Sequence, residues 1–449
     1  MEKTADVSTV LLLDDFGEES RMLYESMRAS GFEGPVIVIE DNGFYPEDVI
    51  SVYQFFCGKF EKSTKVPGKP RYFNQINVPD FWEISGNNSN GKVHDKGHER
   101  GRIFYAEPKE KRLVRVVDWL DERGIVRFSD HYNRCGALYA RTFFSKEGKK
   151  FCRTYYDAEG REVLYENYVT GDYVINRNAK VLILKNKVDL VKMVLRELGH
   201  ESSRIFYNSL STPFLVSEQS EASEKKDILF WQENERPDIP GNMQIIIEGK
   251  ARHTANIYVQ KRQSYQKLTE LGVPKEVVEP LGFIHRHLRD NTLGKEILIC
   301  TNSDQIEKCE ELVRELPEFN FHIAAITEMS PTLLKLGSYE NVHLYPGARA
   351  RNFDELFASC DFYLDINHGN EIVTAIKRAY ENDQLILGFE STLHNRLYTA
   401  PENSFTDIQE LIRTIRILAE DEVLLIDRLN QQKYAAMEED ALAYQKVLR

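Results

Sequence analysis

A glycine repeat in the first half of the chain restricts the fold more than any other feature. The five glycines are twelve residues apart, with a last interval of eleven: Gly124, Gly136, Gly148, Gly160 and Gly171. Each of the first four closes a polar corner, as DERG does at 121–124, and the stretches between corners are strand-length and rich in aromatic and β-branched residues. Because this period is too short for a solenoid, hairpin-connected strands are the natural repeating unit. The repeat predicts an antiparallel β-meander.

The sequence on both sides of the meander has a different texture. Continuous apolar runs, VLLL at 10–13 and VIVI at 36–39, are typical of parallel strands that are covered on both faces. We interpret VLIL at 181–184 as the strand that resumes this pattern, with further strands at 228–231 (ILFW) and 244–247 (QIII). The meander is therefore predicted to be an insertion.

A second alternation of strands and helices occupies the C-terminal part. It begins with EILIC at 296–300 and continues to LILG at 385–388, which is typical of a doubly wound parallel sheet. The sequence thus predicts an α/β protein with two Rossmann-like domains. The predicted boundaries are 1–65 with 180–275 for the first domain, 66–179 for the inserted sheet, 276–425 for the second domain and 426–449 for a C-terminal helix that packs back on the first domain.

The overall charge and the cysteines exclude several classes of function. Lys and Arg number 58 against 71 Asp and Glu, a net charge of −13, which repels phosphate backbones and argues against a general nucleic-acid binder. No apolar run approaches the ~18 residues of a membrane span, and residues 1–15 lack the pattern of a signal peptide. Six cysteines without a Cys-x-x-Cys pair indicate reduced thiols, no metal site and a cytoplasmic protein.

The predicted meander carries a charge of the opposite sign. Residues 96–162 contain sixteen Lys or Arg and eleven Asp or Glu. A basic, aromatic-rich sheet fits a docking surface for a protein partner or for an anionic membrane face. It fits equally a solvated sheet whose aromatic residues fill its own core.

The aromatic residues of the meander are the candidate partner contacts. They are Phe128, Tyr132, Tyr139, Phe143, Phe144, Tyr155, Tyr156 and Tyr168. Period-two alternation places Phe128 and Phe144 on one face and Phe143 on the other, together with Tyr155. Alternation alone leaves open which face points outward.

No motif of a common catalytic site is present. The chain has no P-loop, no Gly-x-Gly-x-x-Gly after a strand, no Gly-x-Ser-x-Gly and no His-Glu-x-x-His. Two joined Rossmann-like halves resemble the GT-B glycosyltransferases, whose active site is the cleft between the halves. In retaining members the last strand–helix unit carries Glu-x7-Glu for the donor sugar and ribose. Alignment of 385–387 with the strand of that unit puts Asn370 and Arg378 at the two glutamate positions.

A second donor feature of that family is also missing. The sequence TNSD at 301–304 stands where GT-B enzymes usually place an Arg/Lys pair that holds the donor pyrophosphate. An amide carries no charge to offset a developing cation, and an arginine accepts no hydroxyl proton. The resemblance therefore implies a chain that binds no donor, needs no cofactor and catalyses nothing alone. The alternative is an active retaining GT-B glycosyltransferase with an atypical donor site.

Four features together resemble a more specific family across essentially the whole chain. They are DINH at 365–368, NSDQIEK at 302–308, NGFYP at 42–46 and the inserted meander. The chain is similar to the glycosyltransferase-stabilising B subunit of the accessory Sec system of Gram-positive cocci.

That resemblance implies a division of labour between two subunits. A catalytic A subunit attaches N-acetylglucosamine from UDP-N-acetylglucosamine to Ser and Thr of serine-rich repeat adhesins before their export. The B subunit binds the A subunit through the extended sheet domains, in a heterotetramer, and contributes binding of the acceptor polypeptide. It is expected in the cytoplasm, with peripheral contact to the membrane left open. A third hypothesis is a metabolic α/β protein whose meander is a homodimer surface.

A hydroxyl-rich acceptor would be held by polar side chains at strand ends that face the cleft. The candidates are Glu248, Arg252, His253, Asn302, Glu328, Asp365, His368 and Asn370. For each single residue the alternative is a capping or turn residue. Polar residues after the first two strands, such as Asp14 and Asp41, are interpreted in that way.

Overall fold

The computed structural model describes residues 9–58, 60, 63–177, 179–221 and 223–449. The chain forms two compact units, Met1–Leu281 with Val447–Arg449 and Gly282–Lys446. Among the described residues, no helix is both long enough and apolar enough to cross a membrane.

The first unit begins with the predicted β-α-β stretch. The apolar runs at 10–13 and 36–39 are fully buried, as expected for strands covered on both faces. The elements of this stretch are β1 (Thr9–Leu13), α1 (Glu18–Ala29), β2 (Val36–Val38), β3 (Val49–Ser51) and α2 (Gln54–Cys57).

Ten antiparallel strands follow and pair in sequence order. They are β4 (Glu83–Gly86), β5 (Asn90–Asp95), β6 (His98–Tyr105), β7 (Val114–Leu120), β8 (Val126–Tyr132), β9 (Leu138–Phe144), β10 (Lys150–Tyr156), β11 (Glu162–Asn167), β12 (Tyr173–Arg177) and β13 (Lys180–Leu184). The five repeat glycines all have φ between 75° and 81°, a left-handed conformation that glycine adopts without a steric penalty. The predicted meander is confirmed, and it is larger than the glycine repeat alone indicated.

The strand at 181–184 was assigned to the wrong sheet by the sequence. It lies in β13, whose Leu184 pairs with Tyr173 of β12 in antiparallel register. A continuous apolar run is typical of a strand buried on both faces, but here Val181, Leu182 and Ile183 are all exposed. Burial within the unit therefore does not explain why this strand is apolar.

The first unit is completed by α3 (Lys187–Glu197), β14 (Arg204–Tyr207), α4 (Thr212–Gln219), β15 (Asp227–Trp231), α5 (Gly241–Ile247), β16 (Thr254–Val259), α6 (Arg262–Glu270) and β17 (Val278–Pro280). These strands join β1–β3 in a seven-stranded parallel sheet of order β17-β16-β15-β14-β1-β2-β3. The predicted strand at 244–247 is wrong, because these residues belong to α5. An apolar run of four residues does not distinguish a strand from a buried helix turn.

The antiparallel sheet is joined to the parallel part through one of its two faces. This inner face carries Ala140, Tyr155, Leu164 and Ile175, which are buried in one core with the parallel strands. Tyr155 stacks on Tyr53, with ring centroids 4.5 Å apart and planes 5° apart. The first strands of the sheet have a small core of their own, on the opposite face, around Val93, Ile103 and Val117.

The second unit contains a six-stranded parallel sheet. Its elements and those that follow are β18 (Glu296–Thr301), α7 (Cys309–Glu315), β19 (Asn320–Ala325), α8 (Pro331–Leu334), β20 (Val342–Tyr345), α9 (Ala350–Ser359), β21 (Phe362–Asp365), α10 (Ala375–Glu381), β22 (Leu385–Phe389), β23 (Ser404–Phe405), α11 (Ile408–Glu420), α12 (Glu422–Ala435) and α13 (Ala441–Leu448). The strand order is β20-β19-β18-β21-β22-β23, so successive strands are added on one side of β18 up to β20 and on its other side from β21 onward. The single C-terminal helix predicted over 426–449 is wrong, since α12 and α13 are separate helices.

Candidate functional site

The carboxyl ends of β18 and β21 form the crevice where an open α/β sheet of this type binds a ligand. In this chain the loops that follow the two strands, 302–307 and 366–370, are bonded to each other, and we call them the crevice loops. The backbone N–H of His368 donates to the Gln305 carbonyl at 2.9 Å, and that of Glu307 donates to the Ile366 carbonyl at 2.8 Å. Two backbone hydrogen bonds thus join the crevice loops to each other.

Side-chain contacts also join the two crevice loops. The His368 ring lies 2.6 Å from the Glu307 carboxylate, and the Thr301 hydroxyl lies 3.0 Å from the Asn367 side-chain oxygen. A Cβ at Gly369 would lie 2.0 Å from the Asn302 side-chain oxygen, so the two loops are in direct contact. Asp304 and Glu307 are the acidic residues of the first loop. The two loops therefore contact each other directly, and the first of them carries two acidic residues.

A half-buried histidine, His394, holds the second crevice loop. One ring nitrogen of His394 donates to the Asp365 carboxylate at 2.6 Å, and the other donates to the Gly369 carbonyl at 2.6 Å. Both partners are acceptors, so the ring is the doubly protonated imidazolium. The hydrogen bond to Asp365, aided by the Gly369 carbonyl, raises the pKa of His394 to about 9. Asp365 is therefore part of the scaffold of the loop and is buried.

We expect the two hydrogen bonds of the His394 ring to make the free energy of unfolding depend on pH in alkaline solution. The folded-state pKa of about 9 lies above the unfolded value of 6.5, so the contribution is complete below pH 6.5 and disappears as the pH rises through 9. The difference corresponds to about 3 kcal/mol. Urea unfolding of the native chain and of His394→Gln at pH 6 and pH 10 measures it. The difference in the free energy of unfolding between the two proteins should shrink by that amount at pH 10. A difference that does not depend on pH would contradict a stabilising role of protonated His394.

The two residues predicted at the donor positions, Asn370 and Arg378, have different surroundings. Asn370 is exposed in the crevice loop. Arg378 points instead toward α9, where it pairs with Asp354 at 2.6 Å and its guanidinium lies 4.3 Å from the centre of the Phe357 ring. Helix α10 begins only at Ala375, after Val373 and Thr374 adopt left-handed backbone conformations. Neither position carries a carboxylate in this chain.

The predicted acceptor residues separate into two groups. Asn302, Glu328, Asp365, His368 and Asn370 lie at the carboxyl edge of the second sheet, and all but Glu328 are in or next to the crevice loops. The other three, Glu248, Arg252 and His253, precede β16 and lie at the amino edge of the first sheet, because residues 241–247 form α5 and not a strand. The expectation that these three face a ligand edge is wrong.

A row of polar side chains lies at the carboxyl edge of the first sheet, of which the sequence analysis named only Asp14 and interpreted it as a capping or turn residue. Asp14, Asn208, Gln232 and Gln260 each follow one of four neighbouring strands, β1, β14, β15 and β16. The backbone N–H of Asp14 donates to the Asn208 amide oxygen at 2.9 Å. The Asn208 amide donates to Gln232 at 2.9 Å, and Gln232 donates to Gln260 at 2.8 Å. The available signal was that one polar residue directly follows each apolar run.

The candidate partner contacts of the meander are divided by burial. Tyr132, Tyr139 and Tyr155 are buried, and the Tyr139 hydroxyl donates to the Asp41 carbonyl at 3.3 Å. Phe144 and Tyr168 are half-buried, and the Lys150 ammonium lies 5.8 Å from the centre of the Tyr168 ring.

The remaining candidates, Phe128, Phe143 and Tyr156, lie on the face opposite the inner face. The period-two prediction that Phe143 shares a face with Tyr155 is wrong. The register shifts at His131/Tyr132 and makes Tyr139 an extra residue of β9, which reverses the alternation along that strand. Phe143 is consequently paired with Phe128.

The chain has two α/β units, each built on a parallel sheet, and an antiparallel sheet is inserted in the first unit. This architecture defines the class of protein: it has a GT-B-like fold. A chain in the crystal structure of a GtfA/B complex bound to UDP and GlcNAc is 39% identical, with a TM-score of 0.90 over 98% of this chain and 99% of that chain. The family models that match are the GtfB N-terminal domain (10–56), the GtfB middle domain (82–185), the GtfB third domain (187–271) and the GftB/GlyA-F C-terminal domain (297–432).

Two streptococcal relatives match nearly the whole chain. The UDP-N-acetylglucosamine–peptide N-acetylglucosaminyltransferase stabilizing protein GtfB of Streptococcus agalactiae is 41% identical over 94% of this chain and 96% of its own length. The protein of that name from Streptococcus pneumoniae serotype 4 is 39% identical over 98% of both. The chain belongs to the GtfB family of glycosyltransferase-stabilizing proteins, which confirms the family resemblance.

Proposed function

We propose that this chain is the non-catalytic, stabilising subunit of a peptide N-acetylglucosaminyltransferase. The closed crevice carries the proposal: the crevice loops are bonded to each other between β18 and β21, where a GT-B donor would bind. Neither Asn370 nor Arg378 supplies a donor carboxylate. A chain of this kind needs a partner that holds the donor, and we infer that the partner is a GtfA-type catalytic subunit in a heterotetramer.

The acceptor is proposed to be the unmodified Ser- and Thr-rich polypeptide of a serine-rich repeat adhesin, before export by the accessory Sec system. Asn302, Glu328, His368 and Asn370 offer amide, carboxylate and imidazole groups at one sheet edge. Such groups bind hydroxyls and backbone amides through many weak hydrogen bonds. Affinity should be modest, because ordering a disordered chain has an entropic cost at each residue.

The complex is proposed to act in the cytoplasm, with peripheral contact to the membrane. All six cysteines are free and buried, which fits a reducing compartment. We further propose that the sheet domain docks the catalytic partner and that the parallel parts of the chain handle the acceptor.

One experiment tests this division of labour. The chain alone, GtfA alone and the complex are each incubated with UDP-N-acetylglucosamine and a recombinant serine-rich fragment, and transfer is measured by intact mass. We expect no transfer and no UDP binding by calorimetry for the chain alone, retention of the unmodified fragment by the chain alone, and transfer by the complex. Transfer by the chain alone would instead support the active retaining glycosyltransferase, and failure to retain the fragment would contradict the acceptor role.

A further inference from the structure

A row of polar side chains lies on the inner face of the antiparallel sheet, next to the core that this face shares with the parallel strands. Thr142 of β9 pairs with Arg153 of β10, and His131 of β8 pairs with Ala140. Side chains two residues apart on a strand share a face, so these three lie on the face of Ala140 and Tyr155. Together with two further cations they define what we call the basic cluster. Its members are Arg115, His131, Lys150 and Arg153.

The Arg153 guanidinium is oriented by neutral groups. Its Nε donates to the Thr142 hydroxyl at 2.7 Å, and its Nη1 donates to the Tyr155 hydroxyl at 3.4 Å. Glu166, which pairs with Arg153 across the strands, accepts from the Tyr173 hydroxyl at 2.8 Å instead. Among the residues that the structure describes, none accepts a hydrogen bond from Nη2, and this nitrogen is open to solvent. One end of the guanidinium is therefore available to a ligand.

His131 is neutral and has a free N–H group. Burial and the positive charges of Arg153, Lys150 and Arg115 lower the pKa of the His131 ring well below its usual value of 6.5. Its Nε2 lies 2.8 Å from the Thr142 hydroxyl, which already accepts from Arg153 and so directs its own proton to Nε2. The ring proton is then on Nδ1, which donates to none of the described residues. This N–H is a second donor for an anion.

The positive charges of the basic cluster have no counter-charge in this part of the sheet. Arg115 and Lys150 are exposed, and the Lys150 ammonium lies 5.8 Å from the centre of the Tyr168 ring. Within the described part of the chain, no Asp or Glu forms an ion pair with Arg115, Lys150 or Arg153. Three cations around one neutral ring attract an anion, although the whole chain has a net charge of −13.

A carboxylate is the anion that fits these donors. It has two oxygen acceptors in one plane, and charge-assisted hydrogen bonds from an arginine to a carboxylate are short and strong. Apolar side chains lie beside the ring: Val116 pairs with His131, and Phe104, which pairs with Val116, is 40% exposed. Arginine and aromatic residues are both enriched at contacts between proteins. A polypeptide is therefore the source of the carboxylate that this surface fits best.

We infer that the basic cluster binds an aspartate or glutamate side chain of an acidic polypeptide segment. Arg153 Nη2 and His131 Nδ1 donate to the carboxylate, and Lys150 and Arg115 supply further positive charge. Binding requires no change in the hydrogen bonds to Thr142. The inference goes beyond the proposed function and does not depend on it, because the proposed function assigns no acidic ligand to the inner face.

The test measures peptide binding by the full chain. The probe is an N-acetylated, C-amidated peptide of alternating Ser and Asp, and the matched peptide has Asn in place of each Asp. We expect the native chain to bind the Asp peptide about tenfold more tightly than the Asn peptide by calorimetry at low salt. Arg153→Gln should weaken binding of the Asp peptide about tenfold, and Lys150→Gln, at an exposed residue, about threefold.

The matched control is an arginine on the other face of the same strands. Arg141 pairs there with Asp130 at 2.6 Å, so Arg141→Gln should bind the Asp peptide as the native chain does. Circular dichroism and thermal unfolding verify that all three variants fold. Equal affinity of the native chain for the two peptides, or unchanged affinity in the folded Arg153→Gln and Lys150→Gln variants, would overturn the inference.

A second measurement uses the native chain. The ring signals of His131, assigned by their loss in His131→Gln, report the pKa of that ring by nuclear magnetic resonance. The Asp peptide should raise this pKa and the Asn peptide should not, because a bound carboxylate stabilises the imidazolium. An unchanged pKa with the Asp peptide bound would contradict the proposed site. Tighter binding of inorganic phosphate than of the Asp peptide, lost in the same variants, would overturn the inference in favour of a phosphate ligand. The transfer experiment tests the proposed function separately from all of these results.

Discussion

Replacement of Tyr155 by alanine is expected to lower the free energy of unfolding by about 3–5 kcal/mol. Tyr155 is 0% exposed and stacks on Tyr53 in the core that joins the antiparallel sheet to the parallel strands. Its removal leaves a cavity at the junction and also deletes an aromatic pair worth roughly another 1 kcal/mol. Fewer buried contacts would then join the antiparallel sheet to the parallel sheet of the first unit.

The neighbouring residue is a matched control for this substitution. Tyr156 has the same side chain on the same strand but lies half-buried on the face opposite the inner face, so Tyr156→Ala should cost only about 1 kcal/mol. Urea unfolding followed by far-ultraviolet circular dichroism measures both. Equal losses for the two variants would mean that the junction contributes no special stability.

Restoring both donor carboxylates is expected to restore no UDP binding. The variant Asn370→Glu with Arg378→Glu supplies the two missing glutamates, but the crevice loops remain bonded to each other and the first loop keeps Asp304 and Glu307. The substitution should also destabilise the second unit by about 2–3 kcal/mol. It removes the Arg378 stack on Phe357 and places a carboxylate beside Asp354.

Adding Asp354→Arg separates the effect on stability from the effect on UDP binding. The triple variant re-forms the ion pair with reversed polarity, so it should recover part of the thermal stability while UDP binding stays undetectable by calorimetry. Micromolar UDP affinity in the double or the triple variant would show that the missing carboxylates alone prevent binding and that the crevice loops are no barrier.

Patterns that are local in the chain predicted the architecture well. The twelve-residue glycine spacing indicated the meander because each corner needs a left-handed residue, and all five glycines have that conformation. The apolar runs at 10–13 and 36–39 indicated buried parallel strands because both faces of such strands are covered.

The site depended on features that are distant in sequence. Whether Phe143 points outward or inward depends on a single extra residue in β9, which shifts the register against β8. The three residues Glu248, Arg252 and His253 were expected at a ligand edge, and a helix in place of a strand put them at the other edge. Short apolar runs do not contain that information, because helix and strand bury four residues equally well.

The sequence by itself determined the alternation of strands and helices and the meander, since each follows from residue types and spacings along one stretch of chain. The tertiary structure alone decided that the crevice loops close on each other, that His394 clamps Asp365 from a loop 29 residues later, and that the apolar residues of β13 lie on an open edge. Each of these is a contact, or a missing contact, between segments far apart in the chain. Packing and hydrogen bonding between those segments determine the free energy of such contacts. A pattern that is local in the sequence therefore does not predict them.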